Sequence, residues 1–422
     1  TYVSGATSAL SLKQNPIDGS ENQGDATLYI GTTNGGVYMR HYDYQSDTWS
    51  DQWTWLSEPS GSSESGYDGA QGIGALAISP DGNFIAVGRG NSSNYNIYTP
   101  SGPALQIGQI LPDGSIDWLP VVPGMFLSGD TQSNNIRDLS WQDDGLFFSA
   151  VSGANAPAVS SQFGRLSVDE YGSITGFTSL AAVSNSVITS ASAGADSPIF
   201  LSTLGGFLNT VDPNTGNTIV LQSDSWDQVR QQRVSDGERL ARISVAPDPD
   251  VDGQYVALMG WFSHSAKNKY ITHVDRLTVS AENTIVDVSS INFSGKAGDN
   301  QASPIGFFGN YSLLFDPVDP TLNTVLVGGN QYTDSHPDGD TPYTSTGGFV
   351  RGNFATQSIE AIFGPYKDND GALVADSLLT GAPHADSRKS VEIRTSNGVE
   401  IIQSDDGGVW LLSPSPENPD IP

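Results

Sequence analysis

The stretch Ala75-Leu-Ala-Ile-Ser-Pro-Asp-Gly-Asn-Phe-Ile-Ala-Val-Gly88 contains two short apolar segments separated by a tight turn. Pro, Asp and Gly are the residues that such turns favour, and the flanking β-branched and aromatic residues favour strands. The same order of apolar strand, acidic turn and apolar strand returns at 138–149, 242–258 and 311–328. The repeat therefore predicts a succession of antiparallel hairpins.

A second hairpin follows the first in most units, with turns at 113–116, 171–174, 215–219 and 282–285. Two hairpins give four antiparallel strands, which is the composition of a propeller blade. The sequence thus predicts an all-β protein, a β-propeller of about seven four-stranded blades. The predicted units begin near Ala9, Gly74, Ile136, Val187, Leu240, Asn310 and Ser390.

We expect a single propeller domain over residues 1–412 and a proline-rich tail or linker over 413–422. The last unit shows three obvious strands, and Tyr2–Ala6 is the candidate for the fourth, which would protect open sheet edges. Six or eight blades are the alternatives. The segment Ser225–Ala241 is the best candidate for a helix. The alternative is a helix of only one or two turns.

Composition excludes several classes of function. The 422 residues carry a formal net charge of −29, from 47 acidic and 18 basic residues, which disfavours nucleic acid and anionic membranes as partners and favours divalent cations. Without cysteine there are no disulfides, thiolate metal sites or cysteine nucleophiles. No run of eighteen apolar residues occurs, so we predict no membrane insertion.

The chain begins at Thr1 rather than at methionine. We expect either a mature form after removal of a signal peptide or a piece of a longer protein. Together with the acidic, cysteine-free composition, this favours a bacterial protein that is extracellular, on the cell surface or periplasmic. The sequence does not predict an oligomeric state.

Gly-Gly followed by a β-former occurs four times, at 35–36, 205–206, 347–348 and 407–408. One occurrence lies in Leu28-Tyr-Ile-Gly-Thr-Thr-Asn-Gly-Gly-Val-Tyr38, and Trp49 follows it. Here the chain resembles the sialidase-repeat and sortilin-like propellers, and the xyloglucanase-like glycoside hydrolases among them. The resemblance implies a propeller fold and, for the hydrolases, a carboxylate just before Gly-Gly in an early blade. That place holds Asn34, whose amide cannot act as a general acid or base, whereas Asp406 matches the pattern in the last blade.

The predicted connections between second and third strands differ in length. They are Gly-Gly turns in units one, four and seven, and long in units two (88–103), five (261–270) and six (330–347). Because these connections share one face with the segments that enter each first strand, the pattern predicts a groove suited to an extended polysaccharide. The alternative is that loop length varies without a functional reason.

The same loops carry the candidate binding residues. Arginines at the starts of predicted first strands could converge on a carboxylate or sulfate, and aromatic, lysine and histidine side chains follow in the loops. The predicted substrate-binding residues are Arg137, Arg242, Trp261, Lys267, Tyr332 and His336. In the alternative interpretation, each arginine pairs with a local acid such as Asp138, Glu238 or Asp386 and only stabilises the fold.

A histidine or tyrosine beside a clamped carboxylate could remove a proton, which is lyase chemistry. The predicted catalytic residues are His384, Arg388, Asp406, His264 and Tyr270. The sequence thus suggests a polysaccharide lyase or a glycoside hydrolase that acts on a polysaccharide or another extended polyanion. The alternatives are a non-catalytic glycan-binding or protein-binding module of an adhesin or larger extracellular protein.

Calcium is the predicted cofactor. Asp248, Asp250 and Asp252, followed by Gly253, have the D-x-D-x-D-G spacing in which alternate carboxylates surround a hard cation. The ninth position of this loop is Val256 rather than an acid, and 334–340 and 368–371 are weaker candidates. A second possible metal site combines His384 with Asp386, or with the other histidines if they converge.

Overall fold

The structure is a computed structural model, whose described residues contain thirty strands and one helix. The described residues are 7–19, 23–32, 36–56, 72–89, 105–119, 134–142, 145–152, 161–179, 187–192, 197–203, 205–212, 217–263, 271–293, 312–332, 345–363, 366–367, 373–374, 389–405 and 408–412.

Within these ranges the strands form seven small antiparallel sheets of three to five strands, and one separate two-stranded hairpin. Five of the seven sheets have four strands in simple sequential order, as a propeller blade requires. The fold is therefore a seven-bladed β-propeller, which confirms the fold class predicted from the repeat. We number the blades in chain order.

The first three blades have the following strands. Blade 1 contains β1 (Thr7–Gln14), β2 (Ala26–Thr32), β3 (Val37–Asp43), β4 (Thr48–Trp49) and β5 (Thr54–Trp55); blade 2 contains β6 (Ile73–Ile78), β7 (Phe84–Arg89), β8 (Leu105–Ile110) and β9 (Ile116–Trp118); blade 3 contains β10 (Asn134–Gln142), β11 (Gly145–Ser152), β12 (Ser161–Val168) and β13 (Ile174–Ser179).

The remaining elements begin with blade 4, and a helix precedes blade 5. They are β14 (Val187–Ser192), β15 (Ile199–Thr203), β16 (Leu208–Val211) and β17 (Thr218–Val220) in blade 4; α1 (Asp224–Ser235); β18 (Glu238–Pro247), β19 (Tyr255–Ser263), β20 (Ile271–Val279) and β21 (Ile285–Asn292) in blade 5; β22 (Ser312–Phe315), β23 (Thr324–Tyr332), β24 (Ser345–Asn353) and β25 (Ser358–Phe363) in blade 6; the hairpin β26 (Tyr366–Lys367) and β27 (Leu373–Val374); and β28 (Lys389–Thr395), β29 (Gly398–Asp405) and β30 (Gly408–Leu412) in blade 7.

The chain divides into two compact units. Unit 1 comprises Thr1–Leu201, Thr210–Ile219 and Val391–Ile402. Unit 2 comprises Ser202–Asn209, Val220–Ser390 and Gln403–Pro422.

Each unit is held together by apolar side chains between neighbouring blades. In unit 1, Tyr29 and Val37 of blade 1 join Leu76 and Ile85 of blade 2 in one buried cluster. In unit 2, a cluster of eleven buried residues joins blades 5 and 6. Burial of apolar area contributes about 25 cal/mol per Å², so these interfaces are the main source of stability in a fold whose blades share no backbone ladder.

Two strand glycines let neighbouring blades of unit 1 approach closely. A Cβ on Gly31 would lie 2.4 Å from Ile73, and a Cβ on Gly88 would lie 2.3 Å from Ile136. In both cases a glycine of the second strand faces an isoleucine of the next blade's first strand. The same packing device therefore operates at two successive interfaces.

Within unit 1 the first and last blades are joined by side-chain hydrogen bonds. The Gln14 amide on β1 donates to the Arg394 carbonyl on β28 at 2.6 Å and accepts from the Arg394 N–H at 3.1 Å. Asn397 also donates to Asp47. Three strands of blade 7 are described, and the predicted fourth strand at 2–6 lies outside the described residues.

The predicted helical segment is confirmed in part. Helix α1 has twelve residues and ends at Ser235, whereas β18 already begins at Glu238 inside the segment predicted to be helical. Asp236 caps the helix, and Gly237 follows it with a φ of 78°, which ends the helical hydrogen bonding. No helix in the described ranges is long and apolar enough to cross a bilayer.

Candidate functional site

All five predicted catalytic residues lie outside the described residues. These are His384, Arg388, Asp406, His264 and Tyr270, together with the binding candidates Lys267 and His336. The strand bounds nevertheless place several of them in the chain order that was predicted. Positions 264–270 lie between β19 and β20, 333–344 lie between β23 and β24, and 406–407 lie between β29 and β30.

The predicted pattern of connection lengths is confirmed for short turns in blades 1, 4 and 7 and for long connections in blades 2 and 6. The connection in blade 5 is shorter than predicted, because 261–263 extend β19. The groove itself was predicted from segments outside the described residues and stays a prediction.

Three binding candidates besides Trp261 lie in strands. Arg137 belongs to β10 and Tyr332 ends β23. Arg242 lies in β18, half-buried and opposite Gly260. Glu238, one of the acids suggested as an arginine partner, instead contacts His273 and lies near Arg233.

The placement of Trp261 in a loop was wrong. Trp261 lies in β19, and its side chain is 0% exposed. A fully buried ring offers no face to a sugar in this structure. Its neighbours show that it packs against α1 and the turn of blade 4.

The predicted calcium loop is the turn between β18 and β19, the first two strands of blade 5. The Asp250 N–H donates to Asp248 Oδ1 at 2.9 Å, and the side chains of Asp250 and Asp252 are exposed. Throughout the described part of the chain, no group of three or more acidic or histidine side chains is arranged to hold a metal ion. The loop thus keeps the predicted ligands on one turn without bringing them together.

Helix α1 packs on the rest of unit 2 through Trp226 and Arg233, which lie about two turns apart. Ser223 caps its N-terminus by accepting from the Trp226 N–H at 3.1 Å. The Trp226 ring, 1% exposed, lies 6.2 Å from the Trp261 ring. Because the helix is polar on its other faces, this burial and the ion pair described next attach it to blade 5.

The second attachment is a buried network of charges. Arg233 of α1 donates to Asp275 of β20 at 2.8 Å, and Ser290 of β21 also donates to that carboxylate. Glu238 lies 3.9 Å from Arg233 and 2.9 Å from His273. Two carboxylates therefore share one arginine and one imidazole, as burial of charge demands.

The turn of blade 4 completes this packing. Gly206 has a φ of 76°, and a Cβ there would lie 2.1 Å from the Trp261 ring. Beside it, the Arg230 guanidinium lies 3.8 Å from the centroid of the Phe207 ring, which is 40% exposed. These contacts place α1 and the second-to-third-strand turn at the same end of unit 2.

A different surface, in unit 1, was missed by the sequence reasoning. Blade 1 has an outer edge in two pieces, since Trp49 on β4 pairs with Tyr42 and Trp55 on β5 pairs with Tyr38. Alternation along β3 puts Tyr38, Arg40 and Tyr42 on one face of the sheet. Trp49, Trp53 and Trp55 therefore line this face beside Arg40, and we call these four residues the tryptophan shelf.

Arg40 lies between two indoles of the shelf. Its guanidinium carbon is 5.8 Å from the Trp49 ring centroid and 6.0 Å from that of Trp53. Its Nε donates to the Ser50 carbonyl at 2.7 Å, which fixes the plane of the guanidinium. Trp49 and Trp53 are half-buried, and Trp55 is 54% exposed, so the shelf presents aromatic surface to solvent.

Tyr42 supports the shelf from within the sheet. Its ring, 1% exposed, lies 5.2 Å from the Trp49 ring, and its hydroxyl donates to Asp47 at 2.5 Å. Burial, reinforced by the bond to Asp47, raises the pKa of Tyr42 well above that of an ordinary tyrosine. Tyr42 is therefore an uncharged, well-fixed support for the Trp49 ring.

The signal for the shelf is visible in the sequence, because three of the eight tryptophans occur within seven residues at 49, 53 and 55. All three are separated from one another by even numbers of positions, as for residues on one face of a strand. The interruption between β4 and β5, which places Trp53 beside Arg40, has no such signal.

No protein-family model matches the chain, and no curated protein sequence matches it. Among solved structures, the chain is similar to the crystal structure of the β-propeller protein Sqt1 from Saccharomyces cerevisiae. The superposition has a TM-score of 0.51 and 9% sequence identity, and it covers 97% of this chain and 95% of Sqt1. The chain has a β-propeller fold. At this identity the likeness concerns the fold and not the activity.

Proposed function

We propose that the protein is a glycan-binding β-propeller that engages a polysaccharide through the tryptophan shelf of blade 1. The observation that carries this proposal is the group of indoles at Trp49 and Trp53, which are half-buried and lie near Arg40, and at Trp55, which is 54% exposed. Exposed aromatic groups on a soluble surface mark interaction sites, and the C–H faces of sugar rings pack on indoles. A shelf of several indoles suits successive sugars of an extended chain.

The same proposal includes the propeller families and the cellular location that the sequence suggested. The Gly-Gly strand pattern, with Trp49 as its tryptophan, supports a place among the sialidase-repeat, sortilin-like and xyloglucanase-like propellers. A single propeller domain over 1–412 with a proline-rich tail suits a module of a larger bacterial protein, extracellular, on the cell surface or periplasmic. Non-catalytic binding is the version that the shelf favours, because a row of aromatic rings provides affinity without chemistry.

The test is affinity electrophoresis in gels that contain neutral or acidic polysaccharides. Trp53→Ala and Trp55→Ala should each weaken the retardation constant about tenfold, the loss expected for a well-placed aromatic contact. The matched control is Tyr171→Ala, which removes an aromatic side chain that is 71% exposed in another turn of unit 1. Shelf variants that migrate like the wild type in every gel that retards it would refute the proposal.

A catalytic function of the residues that the sequence suggested is the second candidate. Its support is their position along the chain, since His264, His336 and Asp406 fall between the second and third strands of their blades, and His384 and Arg388 fall shortly before β28. The proposed reactions are polysaccharide lysis, with an unsaturated product that absorbs in the ultraviolet, or hydrolysis, with new reducing ends. Incubation with a panel of polysaccharides, with His384→Ala as the comparison, tests both.

Calcium binding at Asp248, Asp250 and Asp252 stays part of the proposal. The support is the D-x-D-x-D-G spacing on a single exposed turn. Thermal unfolding with added calcium and with a chelator should differ for the wild type and coincide for Asp250→Asn. If the wild type melts at the same temperature with calcium and with the chelator, the proposal that this loop binds calcium is wrong.

A further inference from the structure

We propose that the tryptophan shelf selects a uronic-acid glycan, with the sugar carboxylate paired to Arg40 and the sugar rings packed on the neighbouring indoles. This inference rests on the proposed function and adds the chemical class of the glycan. It names Arg40 as the residue that recognises charge and the tryptophans as the residues that supply contact area.

The orientation of Arg40 suits a carboxylate. Its Nε is occupied by the Ser50 carbonyl at 2.7 Å, and in the described part of the chain no carboxylate lies within ion-pair distance of its guanidinium. The two terminal nitrogens form a planar fork, which matches the two oxygens of a carboxylate in a bidentate pair. Trp49 and Trp53, whose ring centroids lie 5.8 and 6.0 Å from the guanidinium carbon, limit the approach of water and strengthen such a pair.

The acids around Arg40 are engaged in their own turn. Asp43 accepts from the Gln45 and Ser46 N–H groups at 2.9 and 3.0 Å, and the Ser46 N–H lowers the pKa of Asp43. Asp47 accepts from Tyr42 and from Asn397. These bonds tie the two carboxylates to the β3–β4 turn and to blade 7.

The net charge of the protein affects which ligands can bind near Arg40. A net charge of −29 repels acidic polymers, so an anionic ligand needs a local cation at its site. Arg40 supplies that cation among aromatic rings, where a neutral glycan would need none. Asp51 is exposed next to Ser50, whose carbonyl accepts from Arg40, so its negative charge opposes an approaching anion.

The experiment compares retardation by polygalacturonate, by dextran sulfate and by a neutral glucan. Polygalacturonate should retard the wild type most strongly. Arg40→Gln should weaken retardation by polygalacturonate at least tenfold, leave that by the glucan unchanged and keep the melting temperature. Arg394→Gln, which removes the charge of an exposed arginine on β28, is the matched control and should behave as the wild type. Asp51→Asn should strengthen the binding of polygalacturonate.

Each other outcome counts against a defined part of the inference. If Trp53→Ala loses binding while Arg40→Gln keeps it, the shelf binds glycans without reading charge and this inference is wrong, although the proposed function stands. Dextran sulfate bound as tightly as polygalacturonate would overturn the choice of carboxylate. If no glycan retards the wild type, both proposals fail.

Discussion

Blade 1 and helix α1 both bring an arginine together with tryptophans, and the two regions differ in what covers them. At α1, Trp226 and the neighbouring Trp261 of β19 are 1% and 0% exposed, and Arg233 is paired with Asp275. On blade 1, Trp55 is 54% exposed, and the Arg40 side chain is held by a backbone carbonyl. The same residue types thus build a structural contact in unit 2 and an open surface in unit 1.

The comparison separates two consequences of one chemistry. A buried indole and a buried arginine contribute to the free energy of unfolding because their removal leaves a cavity or an unpaired charge. An exposed indole leaves neither, so its removal changes binding and not stability. Four substitutions test this difference.

The largest effect is expected for Asp275→Asn. The substitution leaves Arg233 buried without its charged partner and should lower the free energy of unfolding by about 3–5 kcal/mol. Urea unfolding measures it. The double variant Arg233→Met/Asp275→Asn should recover part of the loss, since it no longer buries an unpaired guanidinium. A loss that is equal in the single and double variants would show that the pair itself is not what stabilises α1.

Gly206→Ala should have the next largest effect. The new Cβ would overlap the Trp261 ring at 2.1 Å, and the φ of 76° disfavours alanine, so we expect a loss of about 1–3 kcal/mol. Gly237→Ala is the control, because Gly237 has a similar φ of 78° and no neighbour within 4 Å of an added Cβ. Equal losses would assign the effect to the backbone alone and not to contact with Trp261.

Tyr42 should make stability depend on pH in the alkaline range. Because its folded pKa is raised above that of the unfolded chain, its contribution is complete below the ordinary tyrosine pKa and is lost as pH rises through the folded value. Tyr42→Phe should lower the free energy of unfolding by about 0.5–1.5 kcal/mol at neutral pH. In the alkaline range, the free energy of unfolding of this variant should fall less steeply with pH than that of the wild type. Chemical unfolding across this range measures both. An unchanged alkaline profile would show that Tyr42 does not carry this dependence.

The smallest effect is expected for Trp55→Ala. An exposed side chain on an edge strand should change the free energy of unfolding by no more than about 0.5 kcal/mol. Thermal and urea unfolding provide the measurement, with Asp275→Asn as the destabilised reference. A loss comparable to that of the buried network would mean that the shelf is part of the core, and the comparison with α1 would disappear.

Much of the architecture could be predicted from the sequence because it depends on local patterns. Strand, acidic turn and strand repeat with the period of a blade, and Gly114 and Gly172 have the positive φ that their predicted turns require. The helix was found and its end was misplaced, since Gly237 both ends α1 and leads directly into β18.

The candidate site was harder to predict than the fold. Trp261 was chosen for its neighbours in sequence, yet Gly206 and Trp226 cover it from distant positions. Arg40 was overlooked because its importance depends on Trp53, which the interruption between β4 and β5 brings beside it.

The all-β repeat, the positions of the turns, the acidic surface and the absence of cysteine chemistry follow from the sequence alone, because each of these depends on composition or on residues close together in the chain. Which tryptophans are buried and which are open to solvent follows only from the packing of the folded chain. Burial depends on which distant segment packs over a side chain, so an indole on β19 and an indole on β5 are alike until α1 covers one of them.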